Sequence, residues 1–127
     1  MAYWGGEVNV KDHPQAGSVK AFDPATGRQV WSWTAPHPMV SSLLTTAGGL
    51  VFAGEPSGLI HAFDAKTGDV LWTFNTGSGH HGNPVTYSVN GKQYVAVPTG
   101  WGGWIEGFAP EMYGQPRGTS LVVFALP

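Results

Sequence analysis

An all-β fold, specifically a partial β-propeller of about two and a half four-stranded blades, is what the sequence predicts, on three observations. The stretch from Gly17 to Trp31 recurs from Gly58 to Trp72 at a constant offset of 41 residues, with seven identities in one ungapped register. A period near forty residues, built from apolar runs punctuated by Gly and Asp, is what a propeller blade produces. The second observation is turn content: 19 Gly and 10 Pro in 127 residues are too many for a helical protein, while regularly spaced apolar runs argue against a disordered one. The third is period-two alternation, as where Trp31 and Trp33 alternate with Ser32 and Thr34.

Taken in order, residues 1–4 read as the tail of a strand entering a loop that runs to Ala16. Residues 17–22 form a strand, residues 23–27 a tight turn whose Asp23 carboxylate accepts backbone N–H bonds, and residues 30–34 the return strand. Ala35-Pro36-His37-Pro38 is a crossing between blades, because two prolines in four residues suit neither a helix nor a central strand. Strands at 41–46, 50–53, 58–63 and 70–74 then make one complete blade. The cycle restarts with 84–89, the hairpin signal Asn90-Gly91 and the return 93–97. A long loop at 99–117 precedes a strand at 121–126, and a loop of more than about twelve residues in a compact β-domain is usually functional. The expected units are 1–34, the end of one blade; 41–75, a complete blade; and 84–127, a last blade carrying the loop.

Composition excludes some functions. Charged residues make up 11% and the formal net charge is −2, so no basic surface exists for a nucleic-acid partner. No run approaches the roughly eighteen apolar residues of a membrane span, the first residues resemble no signal peptide, and with no cysteine the redox compartment is silent.

The twice-seen pattern Ala-Phe-Asp-x-x-Thr-Gly-x-x-x-Trp resembles the tryptophan-docking motif of the quinoprotein alcohol dehydrogenases, which carry pyrroloquinoline quinone (PQQ) in an eight-bladed propeller. Thr76-Gly77-Ser78-Gly79, then Gly91-Lys92-Gln93-Tyr94-Val95-Ala96-Val97, Gly100-Trp101-Gly102-Gly103-Trp104 and the ending Leu121-Val122-Val123-Phe124-Ala125-Leu126-Pro127 are similar to the carboxyl end of the methanol/ethanol dehydrogenase branch. The resemblance covers essentially the whole chain but only the last part of a family member. It implies a fragment of an oxidoreductase that oxidises a primary alcohol, held against the remainder of a propeller, with a cytochrome as electron acceptor and a periplasmic location.

The resemblance places Gly103 and Trp104 at the quinone. A planar, anionic ortho-quinone needs close backbone approach, which glycine permits, and an indole offers an apolar face and one N–H donor. On the residues alone, the two tryptophans equally well seal a blade end, and Trp101 stays open between the two roles. His80-His81 invites a metal reading, but adjacent histidines point different ways and no acidic or thiol ligand lies at suitable spacing. These histidines, with Asn83, are expected in a loop near an active-site mouth. His13, His37 and His61 look scattered, as surface or blade-junction residues. Asp23 and Asp64 share one place in the repeat, so turn-capping accounts for both, and Trp31 and Trp72 are expected to pack across blade junctions.

Val40 stands where many family members have a tryptophan near the cofactor. The aspartate base, the quinone-binding arginine, the adjacent cysteines and the ligands of a calcium or lanthanide ion match nothing in the chain, so the expectation is no catalytic residue here and no activity for the chain alone. A different class of reading is a non-catalytic propeller module that serves as a binding scaffold.

Overall fold

Each apolar run pairs with its sequence neighbour, since short turns return the chain beside itself. In the computed structural model, which describes residues 16–101 and 117–125, this gives three antiparallel sheets. The first pairs β1 (Gly17–Phe22) with β2 (Gln29–Ala35). The second runs β3 (Leu44–Thr45), β4 (Leu50–Gly54), β5 (Leu59–Asp64) and β6 (Val70–Asn75) in sequence order. The third runs β7 (Val85–Val89), β8 (Lys92–Gly100) and β9 (Thr119–Ala125). The described residues contain no helix, and the fold class is a partial β-propeller.

The repeat extends to backbone detail. A bulge between Ala21 and Phe22 has its counterpart between Ala62 and Phe63, at the same place in the two copies. After each bulge the Asp carbonyl accepts the N–H of the turn glycine, Gly27 at 2.7 Å and Gly68 at 2.9 Å. Both glycines have positive φ, 69° and 79°, where a Cβ is strained. The Asp side chains cap these turns as expected. Asp23 accepts from the Ala25 N–H and the Thr26 hydroxyl, and Asp64 from the N–H groups of Lys66 and Thr67.

Two strands differ most from expectation. The inner strand expected at 41–46 is only Leu44–Thr45, because the Ser41 hydroxyl occupies the backbone positions that a longer strand would fill. It accepts from the Gly54 N–H at 3.2 Å and donates to the Gly54 carbonyl at 2.9 Å. The strand expected at 93–97 runs on to Gly100, because Pro98, Thr99 and Gly100 stay in register with Leu121, Ser120 and Thr119.

The best-packed core lies between the first and second sheets, where Val19 and Trp31 meet Val51, Ala53 and Phe63. Trp31 stacks on Phe63 at 6.2 Å, and its indole N–H donates to the Ala65 carbonyl at 3.0 Å. The second and third sheets meet differently. Trp72 stands edge-on to Phe124 at 5.0 Å, beside an apolar cleft of about 570 Å³ lined by Leu50, Phe52 and Val95 among others.

Antiparallel pairing sorts the connections onto two ends. The repeated Asp turns, the 46–49 turn and the Asn90-Gly91 hairpin lie at one end. At the other lie the β4–β5 turn, the 36–43 and 76–84 links and the junction of β8 with β9.

Candidate functional site

Everything at the first end is explained by turn chemistry, whereas the second end collects polar side chains that the repeat does not require. The 76–84 link is pinned there. The Thr76 hydroxyl donates to the Gly58 carbonyl at 3.0 Å, the His80 N–H to the Glu55 carbonyl at 3.1 Å, and the Gly100 N–H to the Gly79 carbonyl at 2.8 Å. The Ser78 hydroxyl reaches the Gly118 carbonyl at 2.9 Å, so one loop bridges the β4–β5 turn to the β8–β9 end.

Close approach depends on two missing side chains. A Cβ on Gly54 would lie 2.5 Å from the His80 ring, and one on Gly79 would lie 2.6 Å from the Trp101 ring. Real Cβ atoms do not tolerate such distances, so both glycines serve packing.

The adjacent histidines diverge. His80 is 1% exposed and turns inward, its Nε2 within 3.1 Å of the Thr76 hydroxyl and 3.2 Å of the Gly58 carbonyl. His81 stands edge-on to Trp101 with centroids 4.6 Å apart and planes at 87°. Burial holds the His80 ring below its ordinary pKa against the opposing pull of the Gly58 and Pro98 carbonyls, and burial alone lowers His81. Both rings are therefore neutral near pH 7. Among the described residues, His81 Nε2 and the Trp101 indole N–H are buried without a hydrogen-bond partner, which is uncommon in folded proteins.

Beneath this loop lies a chain of three side chains, of which Glu55 and His61 are buried and Thr73 is exposed. Glu55 Oε1 sits 2.6 Å from His61 Nε2, and His61 Nδ1 sits 2.8 Å from the Thr73 hydroxyl. With the ring proton on Nε2, His61 donates to the carboxylate and accepts from Thr73. Glu55 is 3% exposed and His61 6%, and Trp33 of the first sheet covers the imidazole at 5.0 Å. His61 is thus a buried junction residue. Sequence reading passed over its partner Glu55, although a histidine inside the apolar run Leu59-Ile60-His61-Ala62-Phe63 signals a need for a buried partner.

Gly103 and Trp104 lie outside the described residues, as does His13. The approach to them is described: β8 delivers Gly100 and a 7% exposed Trp101 to this end. Asn83 is exposed on the same link. Asp23 and Asp64 cap turns at the opposite end.

Residues 36–95 match the family described as "Glucose/ethanol/alcohol dehydrogenase, beta-propeller domain", a PQQ family. The chain belongs to it. Among relatives of these quinoprotein dehydrogenases, it is 41% identical to the quinoprotein alcohol dehydrogenase PedH of Pseudomonas putida, over 99% of the chain and 22% of PedH. It is 42% identical to the 1-butanol dehydrogenase (quinone) of Thauera butanivorans, over 99% of the chain and 21% of that enzyme. A europium-containing methanol dehydrogenase superposes with a TM-score of 0.79 at 36% identity, covering 91% of the chain and 24% of that structure. The chain thus spans about a fifth of the length of the quinoprotein dehydrogenases it matches.

Proposed function

We propose that this chain forms part of a PQQ-dependent alcohol dehydrogenase and supplies one wall of its quinone site from the Trp101 end of β8. The observation that carries the reading is the buried indole N–H of Trp101, which has no partner among the described residues and comes immediately before the Gly102-Gly103-Trp104 stretch. A ring system bearing carboxylates and carbonyls is an acceptor-rich guest, and a buried donor without an acceptor suits such a group. In this reading Gly103 and Trp104 hold the quinone, the glycine by close backbone approach and the indole by its face and N–H. When bound, the quinone supplies the acceptor for hydride from a primary alcohol, and the protein supplies position. The neutral His81 beside Trp101 keeps positive charge away from this wall.

The three sheets correspond in this reading to units 1–34, 41–75 and 84–127, the last bearing the loop expected at 99–117, of which Thr99 and Gly100 extend β8, seated against the remainder of an eight-bladed propeller. The base, the calcium or lanthanide ion and its ligands belong to other parts of the protein. A cytochrome takes the electrons, and the periplasm is the working compartment.

The test uses the full-length protein that carries this sequence. Trp104→Ala and Gly103→Val should each weaken PQQ binding at least about tenfold, roughly 1.4 kcal/mol, with the unfolding midpoint retained. Unchanged affinity in both variants would overturn the assignment and leave this end as packing or as a scaffold surface.

A further inference from the structure

The Glu55–His61–Thr73 chain is not required by the fold. Lys20 occupies the place of His61 in the earlier copy of the repeat and is exposed, so the first sheet forms without any such pair. A buried polar pair is also weak evidence for stability, because apolar residues of similar volume commonly do as well; its better-attested use is to specify geometry. The pair occurs in the sheet whose β4–β5 turn supports the 76–84 loop.

The Glu55 side chain is drawn inward to His61 at 2.6 Å, while its backbone carbonyl accepts both the Gly58 N–H that closes the turn and the His80 N–H at 3.1 Å. His80 rests on Gly54, the Gly79 carbonyl accepts the Gly100 N–H at 2.8 Å, and Trp101 packs on Gly79. His61 is centred in β5, directly opposite Ala53 and Thr73, and is backed by Trp33. It is therefore a fixed anchor. A displacement of Glu55 would be passed through two backbone hydrogen bonds to the strand end that presents Trp101.

We infer that Glu55 and His61, anchored by Thr73, are positioning residues for the candidate quinone site, setting the height of the 76–84 loop and through it the Trp101 end of β8. The part concerning quinone rests on the reading above. The part concerning loop position does not.

The experiment compares Glu55→Ala, Glu55→Gln and Thr73→Val in the full-length protein, reading amide hydrogen exchange at His80 and Gly100 and equilibrium affinity for PQQ. Glutamine keeps an acceptor for His61 Nε2–H, so Glu55→Gln should match the wild type within about twofold in both readouts. Glu55→Ala should speed exchange at His80 and Gly100 at least about tenfold and weaken PQQ binding by a similar factor, with Thr73→Val changing both in the same direction by less. If Glu55→Ala does not fold, the other two variants still decide, since a merely structural charge pair would make glutamine harmful and Thr73→Val silent. Unchanged exchange in Thr73→Val, a Glu55→Gln variant clearly looser than wild type, or faster exchange with undiminished PQQ affinity would each overturn the inference. A wild-type protein that binds no PQQ would remove the proposed function while leaving the exchange comparison to judge the positioning role by itself.

Discussion

Trp31 donates its indole N–H to the carbonyl of Ala65 at 3.0 Å, joining the first sheet to the turn of the second. The same tryptophan stacks on Phe63 and is 9% exposed, so one side chain satisfies a buried donor and fills the junction core. Trp31→Phe keeps most of the ring contact and loses the hydrogen bond, and should lower unfolding free energy by about 1 kcal/mol. Trp31→Ala also opens a cavity and should cost about 3–5 kcal/mol. Urea unfolding midpoints of the two variants check the difference.

Trp72 holds the same place in the repeat but is 37% exposed and borders the cleft toward Phe124. Trp72→Ala should therefore cost less than Trp31→Ala, about 1–2 kcal/mol from the area it does bury. Equal costs in the same urea series would mean that Trp72 is covered in the full-length protein.

Gly68 and Gly91 both sit at positive φ, 79° and 76°, yet a Cβ would meet the Trp31 ring at 2.6 Å in the first and nothing within 4 Å in the second. Gly91→Ala should cost about 1 kcal/mol from backbone strain alone. Gly68→Ala adds a clash with a rigid ring and should cost about 2–4 kcal/mol, with quenching of Trp31 fluorescence altered as well. Thermal unfolding of the pair separates the two contributions.

Acid should weaken the fold in two windows. His80 is depressed from its ordinary 6.5 by burial, so below that value the unfolded chain takes up a proton that the native ring resists, and stability falls as pH drops until the folded pKa is reached. His80→Gln should flatten this slope below pH 6.5, measured as the urea midpoint at each pH. The second window lies below 3.8. Asp23 is lowered by the Thr26 hydroxyl and the Ala25 N–H, and Asp64 by the N–H groups of Lys66 and Thr67. Their contribution is present above the ordinary carboxylate value and lost as pH falls through the folded values. Asp64→Asn should leave the upper window unchanged.

Much of this architecture was legible in the sequence because it is local. The Asp turns, the Asn90-Gly91 hairpin and the alternation of Trp31 with Ser32 depend on residues a few positions apart, and the repeat doubled the signal. The docking of Trp31 followed from the repeat and the family resemblance together. The shortened β3 was less legible, since it depends on the Ser41 hydroxyl meeting Gly54 across the sheet edge.

The sequence by itself determined an all-β repeat, its turn chemistry and the family to which it belongs, since periodicity and motif spacing survive whatever the distant contacts are. Only the tertiary structure decided which histidine turns inward, that Glu55 meets His61 rather than solvent, and that the Trp101 indole is buried without an acceptor among the described residues. Those outcomes depend on contacts between separate strands and links, where one backbone register and two absent Cβ atoms select the neighbour of each polar group. No local pattern encodes them.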